Sequence, residues 1–219
     1  MDSPHVRHLK HLAHLAHMRY IRHILHILHL LHLAYLRRRN GGWDVRYSAV
    51  VLPQEANPAW DIDAPFNTAE IVDGKLHLIS DDYACYFRNS DNFKNNIGIT
   101  IETRLKVINV DDLCLTIDIG DSDRHCGLIF EEDKVRLIES GGISLLYEID
   151  TTNDYHVYRV TLKGNNIKLY IDGILRLEGI LSDPYAGGGA IFFYAGYDGL
   201  NSESYWDYIY YRVDGAFAP

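Results

Sequence analysis

The chain has 219 residues, enough for one sizeable β domain and an appendage. Its formal net charge of −9 is unevenly spread: residues 1–40 contain seven Lys or Arg and one acid, whereas the remainder contains fourteen bases and twenty-nine acids. An acidic body excludes nucleic acid as a partner, because phosphates need a basic surface. It is compatible with calcium, with neutral glycans, or with a secreted protein that its charge keeps soluble.

The segment 5–37 consists of eleven triplets, each with His or Tyr first and an apolar residue second. Its residue types permit a long helix. Three residues advance an α-helix by about 300°, however, so the apolar positions drift round the axis and form no fixed face. We therefore expect this segment to be helical or disordered.

Four interpretations of the repeat stay open. It is a low-complexity tract, an assembly helix that builds a homo-oligomer through residues 5–37, a metal or haem site with incidental Zn²⁺ or Ni²⁺ on its histidines, or a membrane-contacting segment. Four histidines interrupt the apolar stretch 23–36, which is shorter than the roughly 20 residues a span needs. The sequence thus predicts no membrane span, and no clear signal peptide is visible.

A domain boundary is expected at Asn40-Gly41-Gly42, since Asn and Gly commonly close helices. This divides the chain into residues 1–42 and 43–219. The second part shows about fourteen short alternating segments separated by turn signals. The run Tyr155–Gly173, with turns at Asn165-Asn166 and Asp172-Gly173, predicts an antiparallel meander. We predict an all-β fold of two antiparallel sheets, a sandwich or barrel.

Several motifs follow one another in a recognisable order. They are Asp-Gly-Lys-Leu-His-Leu-Ile (73–79), the strand 99–107, Tyr-His-Val-Tyr-Arg-Val-Thr-Leu (155–162), Leu-Tyr-Ile-Asp-Gly (169–173) and Ser-Tyr-Trp-Asp-Tyr-Ile (204–209). This order resembles the concanavalin A-like lectin/glucanase superfamily, in its laminin-G-like jelly-roll branch. The resemblance covers residues 43–219 and implies a jelly-roll sandwich in a secreted or cell-surface protein. It is compatible with lectins, adhesion modules and glucanases alike.

Acidic loops are candidate calcium sites, because Ca²⁺ takes several oxygen ligands. Asp118, Asp121 and Asp123 surround one predicted hairpin tip. Asp207 is a second candidate, together with the loop 198–201 and Asp44, because the resemblance implies calcium at the sandwich rim. The alternatives are a solvated acidic turn and a carboxylate that forms hydrogen bonds at a strand end.

Aromatic residues crowd the last two strands and their loop, and exposed rings could stack on sugars. We take Trp60, in a predicted long loop, and Tyr197 as candidate stacking rings, with Asp198 and Asn201 as partners for sugar hydroxyls. Core packing is the alternative explanation for most of the aromatic residues.

No catalytic pattern is evident. The resemblance implies two Glu and an Asp on one strand in its retaining glucanases, and neither the acidic turn 131–133 nor the loop 118–123 follows that pattern. The three cysteines cannot all pair within the chain, and a Cys114–Cys126 bridge and buried free thiols both remain open. We expect a non-catalytic extracellular module that binds a glycan or cell-surface partner. The alternatives are a structural subunit that assembles through the repeat and a glycoside hydrolase or lyase of the same fold.

Overall fold

The computed structural model describes residues 21–29, 42–89, 96–111, 115–120, 125–138, 144–181, 190–196 and 199–219. The chain divides into two compact units, residues 1–43 and 44–219. In the first unit, residues 21–29 form an α-helix with every side chain exposed. Leu25 and Leu28 expose 59% and 55% of their surface. Within the described part of the chain, no helix is long and apolar enough to cross a membrane.

The second unit is a sandwich of two antiparallel sheets, which confirms the predicted fold. Sheet A has eight strands in the order β13-β12-β11-β6-β15-β4-β3, with β1 also paired to β15. Its strands are β1 (Val45–Tyr47), β3 (Thr68–Val72), β4 (Lys75–Ser80), β6 (Ile99–Val110), β11 (His156–Lys163), β12 (Asn166–Ile171), β13 (Ile174–Ile180) and β15 (Ser202–Arg212).

Sheet B has seven strands in the order β10-β9-β8-β7-β14-β5-β2. Its strands are β2 (Asp61–Ala64), β5 (Ala84–Asn89), β7 (Leu115–Gly120), β8 (His125–Phe130), β9 (Lys134–Ile138), β10 (Ser144–Glu148) and β14 (Ala190–Ala195). A short 3₁₀ helix, Pro53–Glu55, precedes β2. Strand β7 is the central strand of this sheet.

The predicted meander is present as β11-β12-β13. Asp172 and Gly173 both have positive φ, at 52° and 80°, as a two-residue hairpin turn requires. The first strand, β1, spans only Val45–Tyr47. Ala49 has a φ of 37°, which takes the chain out of the extended conformation.

Aromatic rings from both sheets fill the space between them. Trp206, with no exposed surface, lies against Phe193 of sheet B at 5.4 Å and against Phe130 at 6.2 Å between ring centroids. Phe130 also meets Tyr158 of sheet A edge-on at 4.9 Å. Such edge and tilted contacts let large rings pack densely, so the two sheets hold each other in a fixed relation.

Candidate functional site

The outer face of sheet B carries the most unusual chemistry of the described residues. Strand alternation sends Leu115, Ile117 and Ile119 of β7 into the core and leaves Thr116 and Asp118 on the outer face. Asp118 therefore stands at the middle of the sheet, on its central strand.

Strand register places two rows of side chains across this face. The first row contains Cys85, Tyr194, Thr116 and Ile129, which are paired in that order. The second contains Asp61, Phe87, Phe192, Asp118 and Gly127. The rings of Phe87 and Phe192 are stacked, with centroids 5.7 Å apart. A carboxylate, phenol and aromatic rings thus share one surface.

Part of the first row is screened from solvent, although it lies outside the core cluster. Cys85 and Thr116 have no exposed surface, and Ile129 exposes 2%. An outer sheet face is ordinarily solvated. The burial therefore marks the first row as a sheltered place on the face.

Gly127 makes room for the carboxylate of Asp118. A Cβ atom at Gly127 would lie 2.7 Å from Asp118 Oδ1, closer than van der Waals contact allows. Because Gly127 has no side chain, the Asp118 carboxylate lies over strand β8. The glycine is thus a positioning residue for Asp118.

Tyr83, just before β5, extends the site toward β2. Its hydroxyl donates a hydrogen bond to Asp63 Oδ2 at 3.2 Å, and its ring centroid lies 5.9 Å from that of Tyr194. Tyr194 in turn interacts with Asp118, and Tyr83 with Cys85. We call Asp63, Tyr83, Cys85, Asp118 and Tyr194 the phenol–carboxylate cluster.

The phenols of this cluster are neutral at physiological pH. Burial, and then the charge of Asp118, raise the pKa of Tyr194 well above its ordinary value. Burial and the contact with Cys85 raise the pKa of Tyr83 in the same direction. A neutral phenol both donates and accepts a hydrogen bond, so each tyrosine can bind a hydroxyl group of a ligand.

The thiol of Cys85 is not activated. Burial is the largest cause that raises its pKa to about 12, with Asp63 and Asp118 acting in the same direction. The thiolate, not the thiol, is the nucleophile. Cys85 therefore acts in the cluster as a small packing residue.

The structure corrects the interpretation of Trp60. Its ring is 1% exposed and packs edge-on against Phe193 and Tyr211, at 5.0 and 6.2 Å between centroids. The expected long loop is in part strand β2, which pairs with β5 and brings the preceding residue into the core. Trp60 is therefore unavailable to stack on a sugar.

Asp207 also differs from the expectation of a metal ligand. Its carboxylate accepts from Lys75 Nζ at 2.9 Å and from Arg104 at 2.6 Å. Burial alone would raise the pKa of Asp207, but the two cations hold it below its ordinary value. Asp44 is used elsewhere, as acceptor for the backbone N–H of Val213 at 2.8 Å. Asp207 belongs to an ion-pair cluster.

Asn201, the candidate sugar partner, contacts a carboxylate. Its backbone N–H and side-chain amide donate to Asp111 Oδ2 at 2.7 and 3.0 Å. These hydrogen bonds hold the pKa of Asp111 below its ordinary value. Asn201 is an exposed residue, and its donors serve to close this loop.

Four other candidate residues, Tyr197, Asp198, Asp121 and Asp123, lie outside the described residues. Asp118 is described and stands on a strand. Among the residues with assigned positions, no group of three or more His, Cys, Asp or Glu side chains is arranged to hold a metal ion. The calcium site stays a prediction.

Sequence reasoning missed Asp63, Tyr83, Cys85 and Tyr194 as members of a site. Tyr194 is one of the aromatic residues that crowd the last two strands. Strand alternation in β14 could have placed it on the outer face of the sheet, since Ile191 and Phe193 are the more apolar positions. The partners on β2 and β5 come together only through tertiary pairing. Cys85 and Cys126 are both buried, while Cys114 lies outside the described residues.

Comparison with known proteins identifies structures of similar fold. No protein-family model matches the chain, and no curated protein matches it. A prokaryotic β-1,3-1,4-glucanase (lichenase) from a mouse hindgut metagenome is similar over 77% of this chain and 98% of its own, with a TM-score of 0.56 and 17% identity.

Two further structures are similar over part of their own length. A sialidase matches over 70% of this chain with a TM-score of 0.54 and 18% identity, and this chain spans 17% of it. Botulinum neurotoxin type C, in a structure concerned with its interaction with two ganglioside molecules, matches over 80% of this chain and 49% of its own, with a TM-score of 0.56 and 11% identity. At these identities the likeness shows the fold alone, a two-sheet β-sandwich of the jelly-roll type.

Proposed function

We propose that residues 43–219 form a non-catalytic, extracellular glycan-binding module of the laminin-G-like kind, and that its site is the outer face of sheet B. The observation that carries the proposal is the phenol–carboxylate cluster beside the stacked rings of Phe87 and Phe192. Carboxylates and neutral phenols bind sugar hydroxyls, and aromatic faces pack on the apolar faces of sugar rings. The similarity to carbohydrate-active proteins supports the same class of ligand.

Binding rather than hydrolysis is supported by the chemistry of the cluster. Retaining hydrolysis needs two carboxyl groups about 5 Å apart. In the second outer row the carboxylates are Asp61 of β2 and Asp118 of β7, and strands β5 and β14 lie between them. Three strand spacings of about 4.8 Å therefore separate their backbones, which is well beyond that distance. A tyrosine with a raised pKa is a poor general base at neutral pH, and Cys85 is a poor nucleophile.

A glycan array, with calcium and with a chelator, tests the proposal. We expect a bound glycan whose affinity falls about fivefold to tenfold in Tyr194→Phe, because one hydrogen bond contributes about 1 kcal/mol. Tyr210→Phe, on the outer face of sheet A, is the matched control and should bind normally. A folded protein that binds no glycan in either condition would refute the proposal. Loss of binding with the chelator alone would support the calcium site.

A glycoside hydrolase or lyase is the second candidate, because Asp63 places another carboxylate on the same face as Asp118. Screens on β-glucans and on acidic polysaccharides test it. Any activity that disappears in Asp118→Asn, in a protein that still folds, would replace binding by catalysis as the proposed function.

Assembly through the repeat is favoured by one observation, the exposure of Leu25 and Leu28 on the helix 21–29. Burying such side chains against other copies is favourable by about 25 cal/mol per Å². Sedimentation of the full chain against Leu25→Gln/Leu28→Gln tests this role. A full chain that sediments as a monomer excludes it.

A further inference from the structure

We infer that the helix 21–29 carries a site for a divalent transition metal ion. In this site His26 and a histidine one turn away, His23 or His29, hold the ion through their ring nitrogens. The ions of this class that suit imidazole ligands include Zn²⁺, Ni²⁺ and Cu²⁺. The site belongs to the first unit of the chain, so it is independent of glycan binding by the sandwich.

The three histidines of this helix lie on one side of it. Each triplet shifts the pattern by only about 60°, so the nine described residues hold their histidines within an arc of about 120°. The opposite arc contains the apolar residues Ile21, Ile24, Leu25, Ile27 and Leu28. The drift that removes a fixed face from the whole repeat is therefore too small, over this stretch, to separate neighbouring histidines.

The spacing of the histidines suits a chelate of two imidazoles. Residues three apart on a helix are surface neighbours, with Cβ atoms about 5–6 Å apart, and ligands at this spacing share metal ions in helical bundles. His26 has such a neighbour on each side. His23 and His29 are about 9 Å apart along the axis, so all three cannot converge on one ion. This agrees with the finding that, over the part of the chain that the structure describes, no three ligating side chains surround a metal position.

The histidines are accessible to an ion from solvent. Each of His23, His26 and His29 is exposed, so their nitrogens can be reached without rearrangement of the helix. Two imidazoles leave coordination positions of a tetrahedral ion open to water. The geometry therefore favours an exchangeable ion over one that is enclosed.

The composition of the helix selects the kind of ion. Its sequence contains no Asp or Glu, and Arg22 is its one charged residue. Ca²⁺ and Mg²⁺ prefer oxygen ligands, whereas imidazole suits zinc, nickel and copper. Helical side chains lean toward the N-terminus, so Arg22 extends away from His26 and His29.

The test is residue-resolved chemical modification of the full chain. Diethyl pyrocarbonate acylates free imidazole nitrogens and a bound ion blocks them, so mass spectrometry of the peptides reports on His26 separately from the other histidines. We expect Zn²⁺ to protect His26, and Mg²⁺ at the same concentration to leave it reactive. In His23→Gln/His29→Gln, half-protection should need at least about tenfold more Zn²⁺, because the second ligand of a chelate acts at a high effective concentration.

The matched control is Ile24→Gln/Ile27→Gln, which places two glutamines in the same helix outside the histidine arc. Gln is a better helix former than His or Ile, so both variants should keep the helix. Protection of His26 in the control should equal that in the unsubstituted chain.

Three outcomes would overturn the inference. His26 could react equally with Zn²⁺ and with Mg²⁺, which would mean that no such site exists. Protection could be as strong in the double histidine variant, which would mean that His26 does not need its helical neighbours. The control could weaken protection by the same factor, which would mean that the histidine pair is not its source. Protection by Zn²⁺ that only the histidine variant weakens supports the site.

Discussion

On the two outer faces of the sandwich, the carboxylates compared here contact different kinds of side chain. On sheet A the acids are paired with cations across the strands: Asp207 with Lys75 and Arg104, and Glu102 with Arg159. On sheet B, Asp63 and Asp118 meet phenols. Asp63 accepts one hydrogen bond from Tyr83 among the described residues, and an ionised carboxylate accepts about four, so Asp63 keeps acceptor capacity for a ligand.

The difference indicates which face is framework. The ion pairs on sheet A join side chains of neighbouring strands, so they support strand register. The cluster on sheet B joins aromatic and polar groups around a carboxylate whose place depends on a glycine. The following variants test whether stability depends on one face and binding on the other.

The largest effect is expected from Arg159→Met on sheet A. Glu102 is only 13% exposed in its side chain and accepts from Arg159 Nε at 2.7 Å and from Tyr208 at 3.1 Å. Removing the cation leaves a largely buried charge, so we expect a loss of about 2–3 kcal/mol in the free energy of unfolding. Chemical denaturation measures it, and glycan affinity should not change.

The control for that variant is Lys168→Met, which removes an exposed pair with Glu178 and should reduce the free energy of unfolding much less than Arg159→Met does. Adding Glu102→Gln to Arg159→Met should restore part of the lost stability. Equal losses for the buried and exposed pairs would contradict a framework role for Arg159.

Gly127→Ala is the corresponding change on sheet B. The new Cβ would displace the carboxylate of Asp118, so we expect glycan affinity to fall about tenfold while stability changes by about 1 kcal/mol. Titration calorimetry with the bound glycan measures it. Gly179→Ala, whose Cβ would crowd Leu145 instead, is the control and should bind normally. Unchanged affinity in Gly127→Ala would remove Asp118 from the site.

The contrast between the faces was only partly predictable from sequence. Alternation predicts the sandwich and the meander, because each strand has one apolar face. Strand β2 was missed, since its sequence Asp-Ile-Asp-Ala has two residues that are rare in strands and follows a proline-containing loop. Without strand β2, the sequence predicts that Trp60 lies in an exposed loop. The contact between Asp63 and Tyr83 could not be predicted for the same reason. Pairings between β2, β5 and β14 depend on the whole fold.

A smaller effect is expected from Asp207→Asn on sheet A. The pKa of Asp207 is held below the ordinary 3.8, so its ion pairs stabilise the protein above about pH 4 and are lost as pH falls through the lowered value. We expect the variant to be roughly 0.5–1 kcal/mol less stable at pH 7, because the site is partly solvated. That difference should shrink below about pH 4. Urea denaturation at several pH values tests it, and a pH-independent difference would contradict the ion-pair explanation.

The smallest effect concerns Cys85, which tests whether the sheltered row of sheet B stays closed. Its thiol has no exposed surface, and burial raises its pKa to about 12, so both access and thiolate content are low at pH 8. We expect iodoacetamide to leave Cys85 unmodified in the native protein and to modify it in denaturant, as measured by mass spectrometry of the peptide that contains it. Rapid native labelling would mean that the row opens to solvent. In that case the outer face of sheet B would be a fluctuating surface rather than a preorganised site, and the loss of affinity expected for Gly127→Ala would have to be smaller, since Asp118 would not be held in one place.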